Sequence, residues 1–350
     1  MPATAFPFVA LIGQDEVKDA LILAAVNPRV QGVLLVGPKG TGKTTAVRGL
    51  ADLLSPVVFS TCLYGCDPAW ALSAPDRLCA DCLARLAAGE AISYEQRQAV
   101  VELPLNATLD DVVGGANVRL SLEQQRLRFE PGILAHAHRN ILYIDEINLM
   151  PEDVIDAILD AAATGYCVVR RGRLAAGYPA SFALIGSMNP EMGHLRPQII
   201  DRIGLRVFVR SLTTAAERLA VAQAVRAFQD DPDGFTARHA AATDRAATNI
   251  ARARAVLPRV SVSPAAEEAA VRLIMALGIE SHRTEIVLFE AARAYAAVEE
   301  RSEATVDDVL TVAPLVVRQR HSQMLAEYTR ALEDEEARIR AAIADVRGET

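Results

Sequence analysis

A glycine-rich segment between an apolar run and a helical pattern restricts the fold that this chain can adopt. The segment fits the pattern G-x-x-x-x-G-K-S/T and reads Gly37-Pro38-Lys39-Gly40-Thr41-Gly42-Lys43-Thr44. Its glycines let the backbone curl so that N–H groups point inward, and the start of the following helix adds partial positive charge. The pattern therefore predicts an ATP site in which Lys43 contacts the β- and γ-phosphates and the Thr44 hydroxyl binds Mg²⁺.

Polar side chains also follow two later apolar runs. Asp145 and Glu146 come directly after residues 141–144, and Asn189 comes shortly after 182–187. Ligands of open parallel sheets bind at the carboxyl ends of the strands, so these side chains are expected beside the phosphates. We predict that Asp145 holds Mg²⁺ through water, Glu146 polarises the attacking water and Asn189 senses the γ-phosphate. A turn-forming asparagine before a proline is the alternative for Asn189.

Short apolar runs alternate with helical patterns in the first two-thirds of the chain, which predicts an α/β fold with a parallel sheet. The strand pattern ends near residue 211. We therefore expect a nucleotide-binding core over 1–211 and an all-helical domain over 212–350. Predicted strands cover 32–36, 100–103, 141–144, 182–187 and 205–209. Predicted helices cover 15–26, 44–54, 151–164, 213–229, 244–256, 264–277 and 283–299, with one more from 306 onward and a break at 230–234.

The composition excludes several classes of protein. Hydrophobic residues make up 51% of the chain, which is ample for a packed core and excludes a disordered chain. No run approaches the roughly 20 apolar residues of a membrane helix, and no secretion signal opens the sequence, so we expect a cytoplasmic protein without a membrane span. A net charge of −8 argues against a general nucleic-acid binder. The charged segment 319–346 is expected to form an amphipathic helix that packs on its own chain or binds a partner.

Three arginines are candidates for contacts with phosphate. Arg196 and Arg202 lie between the Asn189 motif and the last predicted strand, a position that favours action across a subunit boundary. Arg283 starts a helix of the second domain, from which it could touch a γ-phosphate. Surface ion pairing is the alternative, with Asp201 as the expected partner of Arg202.

Four of the five cysteines fall in one short segment, with the spacing Cys62-x₃-Cys66-x₁₂-Cys79-x₂-Cys82. Two short pairs about a dozen residues apart are typical of a tetrahedral zinc site. We favour a zinc-stapled excursion over about 60–90, with a redox-switched dithiol or an iron–sulfur cluster as alternatives. Cys167 stands alone in an apolar run and is expected to pack in the core.

Several motifs beyond the phosphate loop share one resemblance. They are Phe6-Pro7-Phe8, Ile12-Gly13-Gln14 and the segments 101–105, 110–114, 129–135, 142–149, 186–191 and 195–205. Together with 37–45, they resemble the ATPase subunit of the AAA+ metal chelatases, of the subunit I type found in magnesium chelatase and related cobalt chelatases. The resemblance covers about residues 6–320. Segments 129–135 and 195–205 are specific to that family, whereas the phosphate loop is not.

The resemblance implies roles for individual residues. Gln14 belongs to the segment that helps hold adenine, and Thr45 continues the phosphate loop. Arg202 corresponds to the arginine finger, Arg196 to a second interface arginine and Arg283 to the sensor of the helical domain. Two β-hairpin insertions are expected, at about 112–128 and 166–179.

The resemblance also implies an activity and partners. The family couples ATP and Mg²⁺ to a ligase-type reaction, insertion of Mg²⁺ into protoporphyrin IX for chlorophyll or bacteriochlorophyll, or of Co²⁺ in cobalamin synthesis. It forms a homo-oligomeric ring, typically a hexamer, stacked on a subunit with an integrin-like metal-binding domain, while a large third subunit binds the tetrapyrrole. The integrin-like motif Asp-x-Ser-x-Ser does not occur in this sequence, so we expect the motor alone. The rivals are a MoxR-like chaperone that remodels a metalloprotein client and, more weakly, a nucleic-acid motor.

Overall fold

The computed structural model describes residues 5–117, 129–171 and 174–319 of the chain. Its strands are β1 (Val33–Val36), β2 (Val57–Ser60), β3 (Ser93–Gln96), β4 (Val100–Glu102), β5 (Gly114–Ala116), β6 (Phe129–Pro131), β7 (Ile141–Ile144), β8 (Tyr166–Arg171), β9 (Leu174–Pro179), β10 (Ala183–Met188), β11 (Leu205–Phe208), β12 (Ser261–Val262) and β13 (Glu303–Ala304). Its α-helices are α1 (Asp15–Val26), α2 (Lys43–Ala51), α3 (Trp70–Ser73), α4 (Ala80–Ala87), α5 (Leu109–Val113), α6 (Ile133–Ala137), α7 (Glu152–Thr164), α8 (Pro197–Arg202), α9 (Ala215–Asp230), α10 (Pro232–Val256), α11 (Pro264–Ala276), α12 (Arg283–Val298) and α13 (Val306–Val317).

Five strands form one parallel sheet in the order β11-β1-β10-β7-β4. All five predicted strands are present, and β1 and β7 are buried along their whole length, as expected for strands covered by helices on both faces. β10 extends to Met188 because Ser187 and Met188 still pair with β1. Since β1, β10 and β7 are neighbours, their carboxyl ends bring the phosphate loop, Asn189 and Asp145 to one edge of the sheet.

The helical domain after the sheet is confirmed, with two differences from the prediction. Helix α10 begins at Pro232 rather than near 244, because the Asp231 side chain accepts a hydrogen bond from Gly234 N at 2.9 Å and caps the helix. The predicted break at 230–234 therefore shrinks to Asp231. In addition, β12 and β13 form a parallel pair of two residues each, which is too short to leave an apolar run in the sequence.

The two expected hairpins are described in part. β5 and β6 pair in antiparallel fashion at the base of the first one, and residues 118–128 lie outside the described residues. β8 and β9 form the second one, also antiparallel, with 172–173 outside the described residues. The charged segment predicted at 319–346 lies outside them from residue 320 onward.

One hydrophobic cluster joins the sheet to the helical domain. Leu21 of α1, Leu35 of β1 and Leu288 of α12 are fully buried members of it. The other face of the sheet packs on a second cluster that includes Ile158 of α7. The helical domain is thus fixed against the face of the sheet that α1 covers. Among the helices of the described segments, none has the length and apolar character needed to cross a membrane.

Candidate functional site

The phosphate loop lies at the carboxyl end of β1 and lines a cavity of about 670 Å³. Gly40 and Gly42 have φ angles of 79° and 84°, which glycine adopts without strain. A Cβ atom at either position would meet no other atom within 4 Å, so the loop leaves room for phosphate oxygens. Helix α2 begins at Lys43 and directs its first N–H groups toward the loop. The loop and the cavity therefore fit a nucleoside triphosphate.

Two lysines of the loop make different contacts. Lys43 Nζ donates hydrogen bonds to the carbonyl oxygens of Gly37 and Pro38, both at 2.7 Å. Burial lowers the pKa of Lys43, and nearby carboxylates oppose this effect. Lys39 is 65% exposed, and its Nζ lies 2.7 Å from Glu146 Oε1. The hydrogen bond to Glu146 raises the pKa of Lys39, so the structure holds the carboxylate of Glu146 beside a permanent cation.

A network of hydroxyl groups surrounds Asp145. Tyr143 OH donates to Asp145 Oδ1 at 3.0 Å, and Ser187 Oγ donates to the same oxygen. Tyr143 OH also lies 3.0 Å from Thr44 Oγ1. Burial raises the pKa of Tyr143 to about 12, so the phenol keeps its proton. Thr44 and Asp145 present the hard oxygen atoms that Mg²⁺ prefers, and they fit that ion.

Glu146 and Asn189 occupy the same edge of the sheet. Glu146 has a φ of 51°, a left-handed conformation that costs a non-glycine residue free energy, and its N–H donates to Ser187 Oγ at 3.2 Å. Asn189 is 6% exposed and lines the cavity. Its Oδ1 also accepts a hydrogen bond from Glu191 N at 3.2 Å. Asn189 therefore forms a turn before Pro190, as the alternative interpretation predicted, and it also faces the nucleotide cavity.

The far end of the cavity is apolar and suits a planar base. Gln14, expected in this region, lines the cavity, as does Thr45. The Gln14 side chain donates to the carbonyl oxygen of Arg210 at 2.8 Å and so ties α1 to the strand-to-lid connection. Phe6 lines the same end and contacts the rings of Phe228 and Phe235, with centroid distances of 5.3 and 5.2 Å. The lid helices thus complete this end of the cavity.

The three predicted arginines lie elsewhere. None of them is among the described residues that line the nucleotide cavity. Arg202 and Arg283 instead line a separate cavity of about 80 Å³, and Arg196 Nε pairs with Glu152 Oε1 at 2.5 Å. The described structure therefore does not place these arginines beside the nucleotide of their own chain.

Arg202 forms surface ion pairs, as the alternative interpretation predicted, but with partners other than the suggested Asp201. Arg202 Nη1 contacts Asp156 and Asp160 of α7, at 3.3 and 3.1 Å. Asp201 instead faces Arg283 at 3.6 Å. The reason is geometric, because adjacent residues of helix α8 point in different directions.

Three residues of the site were missed from the sequence. Tyr143 stands two positions before Asp145 on β7, so the alternation of a strand places both on one face and could have revealed it. Ser187 is adjacent to them in space because β10 pairs with β7. Arg218 of α9 lines the cavity, and no local pattern predicts this because it depends on how the lid packs.

The four clustered cysteines converge in space. Their Sγ atoms all lie within 4.8 Å of one another, and none forms a disulfide. Cys167 is buried in the second hydrophobic cluster, in agreement with its predicted packing role.

Comparisons with known proteins agree with this geometry. A family model described as "Magnesium chelatase, subunit ChlI" matches residues 119–201, and one described as "AAA lid domain" matches 267–342. The magnesium-chelatase 38 kDa subunit of Acidiphilium rubrum is 45% identical over 316 residues, which cover 90% of either chain. The magnesium-chelatase subunit ChlI homolog of Methanocaldococcus jannaschii is 39% identical over 316 residues, 90% of this chain and 85% of that one.

Two solved structures are similar to this chain over most of its length. A chain in the complex between subunits BchI and BchD of magnesium chelatase is 36% identical, has a TM-score of 0.52 and covers 93% of this chain and 99% of its own. A putative ATPase from Cytophaga hutchinsonii, 17% identical with a TM-score of 0.56 over 94% of this chain and 90% of its own, shares the fold.

Proposed function

Because the chain belongs to the magnesium-chelatase subunit ChlI family of AAA+ ATPases, we propose that it is the ATP-hydrolysing motor of an enzyme that inserts a metal ion into a tetrapyrrole. The observation that carries this proposal is the meeting of three groups at one sheet edge. The phosphate loop, the Asp145–Glu146 pair and Asn189 all line one cavity. This is the arrangement that ATP hydrolysis requires.

Each residue of the site has a separate role in ATP hydrolysis. Lys43 and the loop N–H groups bind the phosphates, and Thr44 and Asp145 hold Mg²⁺, which neutralises charge on the phosphate oxygens when bound. Glu146 orients the water and accepts its proton as the water oxygen attacks the γ-phosphorus and the bond to the β-phosphate oxygen breaks. Lys39 releases Glu146 before that step. Asn189 supplies an amide at the position where water and γ-phosphate meet.

We propose that the arginines act on the site of a neighbouring subunit in a hexameric cytoplasmic ring. Arg202 serves as the finger, and Arg196 and Arg283 support it from the same face. The support for this assignment is that all three lie away from the cavity of their own chain. The carboxylate partners of Arg196 and Arg202 are between 49% and 72% exposed. These ion pairs can therefore exchange for phosphate at little cost.

The motor requires other subunits to insert a metal ion. The BchI–BchD complex motivates a partner of the BchD kind, and a large subunit would hold the tetrapyrrole. The inserted ion is a substrate. We propose Mg²⁺, as the names of the relatives indicate, with Co²⁺ as the second candidate.

The test has two parts. ATP hydrolysis by the purified chain should fall by at least about 100-fold in Glu146→Gln, whereas Asp153→Asn, an exposed acid-to-amide control on α7, should leave it unchanged. Copurification from the source cells should then recover a large tetrapyrrole-binding subunit, and insertion of Mg²⁺ or Co²⁺ into its porphyrin should require this chain. Hydrolysis stimulated only by an unrelated protein client would replace the proposal with the chaperone function.

A further inference from the structure

The cysteine-bearing excursion is a small unit with too little core of its own. Strands β2 and β3 pair in antiparallel fashion and close its two ends, from Val57 to Gln96. Between them, its buried side chains are only Cys66, Leu78, Cys82 and Ile92. A unit of about 40 residues with so few buried apolar groups needs an additional cross-link to be stable.

The four cysteines supply the geometry of such a cross-link. Cys62 and Cys66 come from the loop after β2, and Cys79 and Cys82 come from the start of α4. Their sulfurs lie within 4.8 Å of one another, so one ion with bonds of about 2.3 Å can reach all four after small side-chain rotations. An iron–sulfur cluster distributes its four ligands over several iron atoms and needs them farther apart.

Backbone and hydroxyl donors already point at these sulfurs. Cys66 N lies 3.4 Å from Cys62 Sγ, and Cys79 N lies 3.3 Å from Cys66 Sγ. Ser60 Oγ donates to Cys62 Sγ at 3.1 Å. Such donors stabilise negative charge on sulfur and fix the direction in which the ligand points, which is the usual support around a bound metal.

The loop between the first two cysteines contacts the first hairpin, which in turn contacts the second. Tyr64 stacks on Phe129 of β6 with a centroid distance of 6.4 Å, and its OH donates to the Phe129 carbonyl oxygen at 3.2 Å. Phe129 in turn lies 6.1 Å from the ring of Tyr178 in β9. Tyr178 is fully buried and donates to the carbonyl oxygen of Val113 at 2.8 Å. A continuous aromatic contact therefore runs from the cysteine loop to the base of each hairpin.

We propose that the four cysteines bind one structural Zn²⁺ ion, and that this ion holds Tyr64 against Phe129 at the base of the first hairpin. Zinc has no redox chemistry and takes four thiolates in tetrahedral geometry, so it suits a closed site with no open position. The ion does not take part in ATP hydrolysis, and the proposal stands apart from the identity of the metal that the enzyme inserts.

The metal content of the full chain tests whether the four cysteines bind zinc. Protein purified without oxygen should contain about one zinc per chain by plasma mass spectrometry, and Cys79→Ser or Cys82→Ser should reduce this to below about 0.2. The matched control Cys167→Ser, in the second hydrophobic cluster, should keep its zinc. Since a variant could fail to fold, wild-type protein is also titrated with a mercurial thiol reagent, which should release one zinc as four thiols react. Wild-type protein that holds iron, no metal, or a reversible disulfide among the four would overturn the proposal.

Hydrogen exchange tests whether the zinc ion stabilises the base of the hairpin through Tyr64. Removal of zinc by a chelator should speed amide exchange in 114–116 and 129–131 by about tenfold or more. Tyr64→Ala should produce the same acceleration while the zinc stays bound, whereas Leu63→Ala, an exposed neighbour, should change neither. Unchanged exchange at the hairpin base after zinc removal would separate the metal from the hairpin and refute their coupling.

Discussion

At the scale of single residues, the ion pair between Lys39 and Glu146 has the clearest consequence for catalysis. The two charged atoms are 2.7 Å apart, and both residues line the nucleotide cavity. Lys39 occupies Oε1 of the proposed base Glu146, so under the proposed mechanism we expect the pair to open in each cycle. Because Lys39 is mostly exposed, solvent screens this ion pair and it can open easily.

We therefore expect Lys39→Met to raise kcat for ATP hydrolysis by about two- to fivefold, because Glu146 no longer has to leave this ion pair before it acts. The KM for ATP should rise as well, because a cation is lost from the phosphate side of the cavity. Steady-state kinetics at saturating Mg²⁺ measure both values, with Lys18→Met on helix α1 as the matched control. A fall of kcat by tenfold or more would instead assign Lys39 to the transition state.

The residues of the site differ in how far sequence could predict them. The placements of Lys43, Thr44 and Asp145 could be predicted because a strand end fixes each one relative to the sheet edge. The Lys39–Glu146 pair could not, since it depends on the left-handed conformation of Glu146. Arg218 reaches the cavity only through the packing of the lid.

At the scale of secondary-structure elements, the start of α13 depends on one buried carboxylate. Asp308 is 3% exposed, accepts hydrogen bonds from Arg301 at 2.6 and 2.5 Å and completes a capping box with Thr305. Burial opposes its charge, but the bonds from Arg301 and Thr305 outweigh that effect and lower the pKa of Asp308. The lid thus relies on this ionised group to begin its last described helix.

Asp308→Asn should lower the free energy of unfolding by about 3 kcal/mol at pH 7, because Arg301 loses its partner and the cap loses charge. Since the folded pKa is depressed, the contribution of Asp308 is complete above about pH 4, the unfolded value, and is lost as pH falls through the folded pKa. Urea unfolding at neutral and acidic pH should show the gap between wild type and variant closing below about pH 4. The exposed neighbour Asp307→Asn serves as control, and a gap that does not depend on pH would contradict the role of the charge.

Elements were predictable where a local pattern defines both ends. Helix α1 has the predicted bounds Asp15–Val26, and β7 has those of its apolar run. Helix α10 was predicted too short because the Asp231 cap and Pro232 allow helix directly after an apparent break. The pair β12 and β13 exists only because the lid helices bring two short segments together, which no periodicity reveals.

At the scale of the whole molecule, a buried arginine connects the lid to the helix of the proposed finger. Arg206 on β11 is fully buried. Its guanidinium donates to the carbonyl oxygens of Ile200 and Ile203 around the end of α8, and to that of Arg318 at 2.7 Å just after α13. One side chain therefore satisfies carbonyls from the core and from the lid, and a strand pattern alone gives no sign of it.

Arg206→Met should cost about 3 kcal/mol of folding free energy, because buried carbonyls lose their donor while the side-chain volume is nearly kept. The effect should concentrate at the contact between lid and core. Calorimetry is expected to show one transition for the wild type and two for the variant, with the exposed Arg252→Met as control. A single transition with an unchanged midpoint would show that the core and lid hold together without Arg206.

The proposed ring gives Arg202 a role that no single chain can test. In a random mixture of equal amounts of Lys43→Ala and Arg202→Ala subunits, about a quarter of the interfaces join an intact phosphate loop to an intact finger from the neighbour. Each variant alone should be nearly inactive, and the mixture should recover about a quarter of wild-type ATPase activity. The control mixture contains Lys43→Ala subunits and subunits with the exposed change Arg252→Ala. Its fingers are all intact, so its activity should follow the fraction of intact phosphate loops. Activity that stays absent at every mixing ratio would show that Arg202 serves its own chain, through its contacts with Asp156 and Asp160.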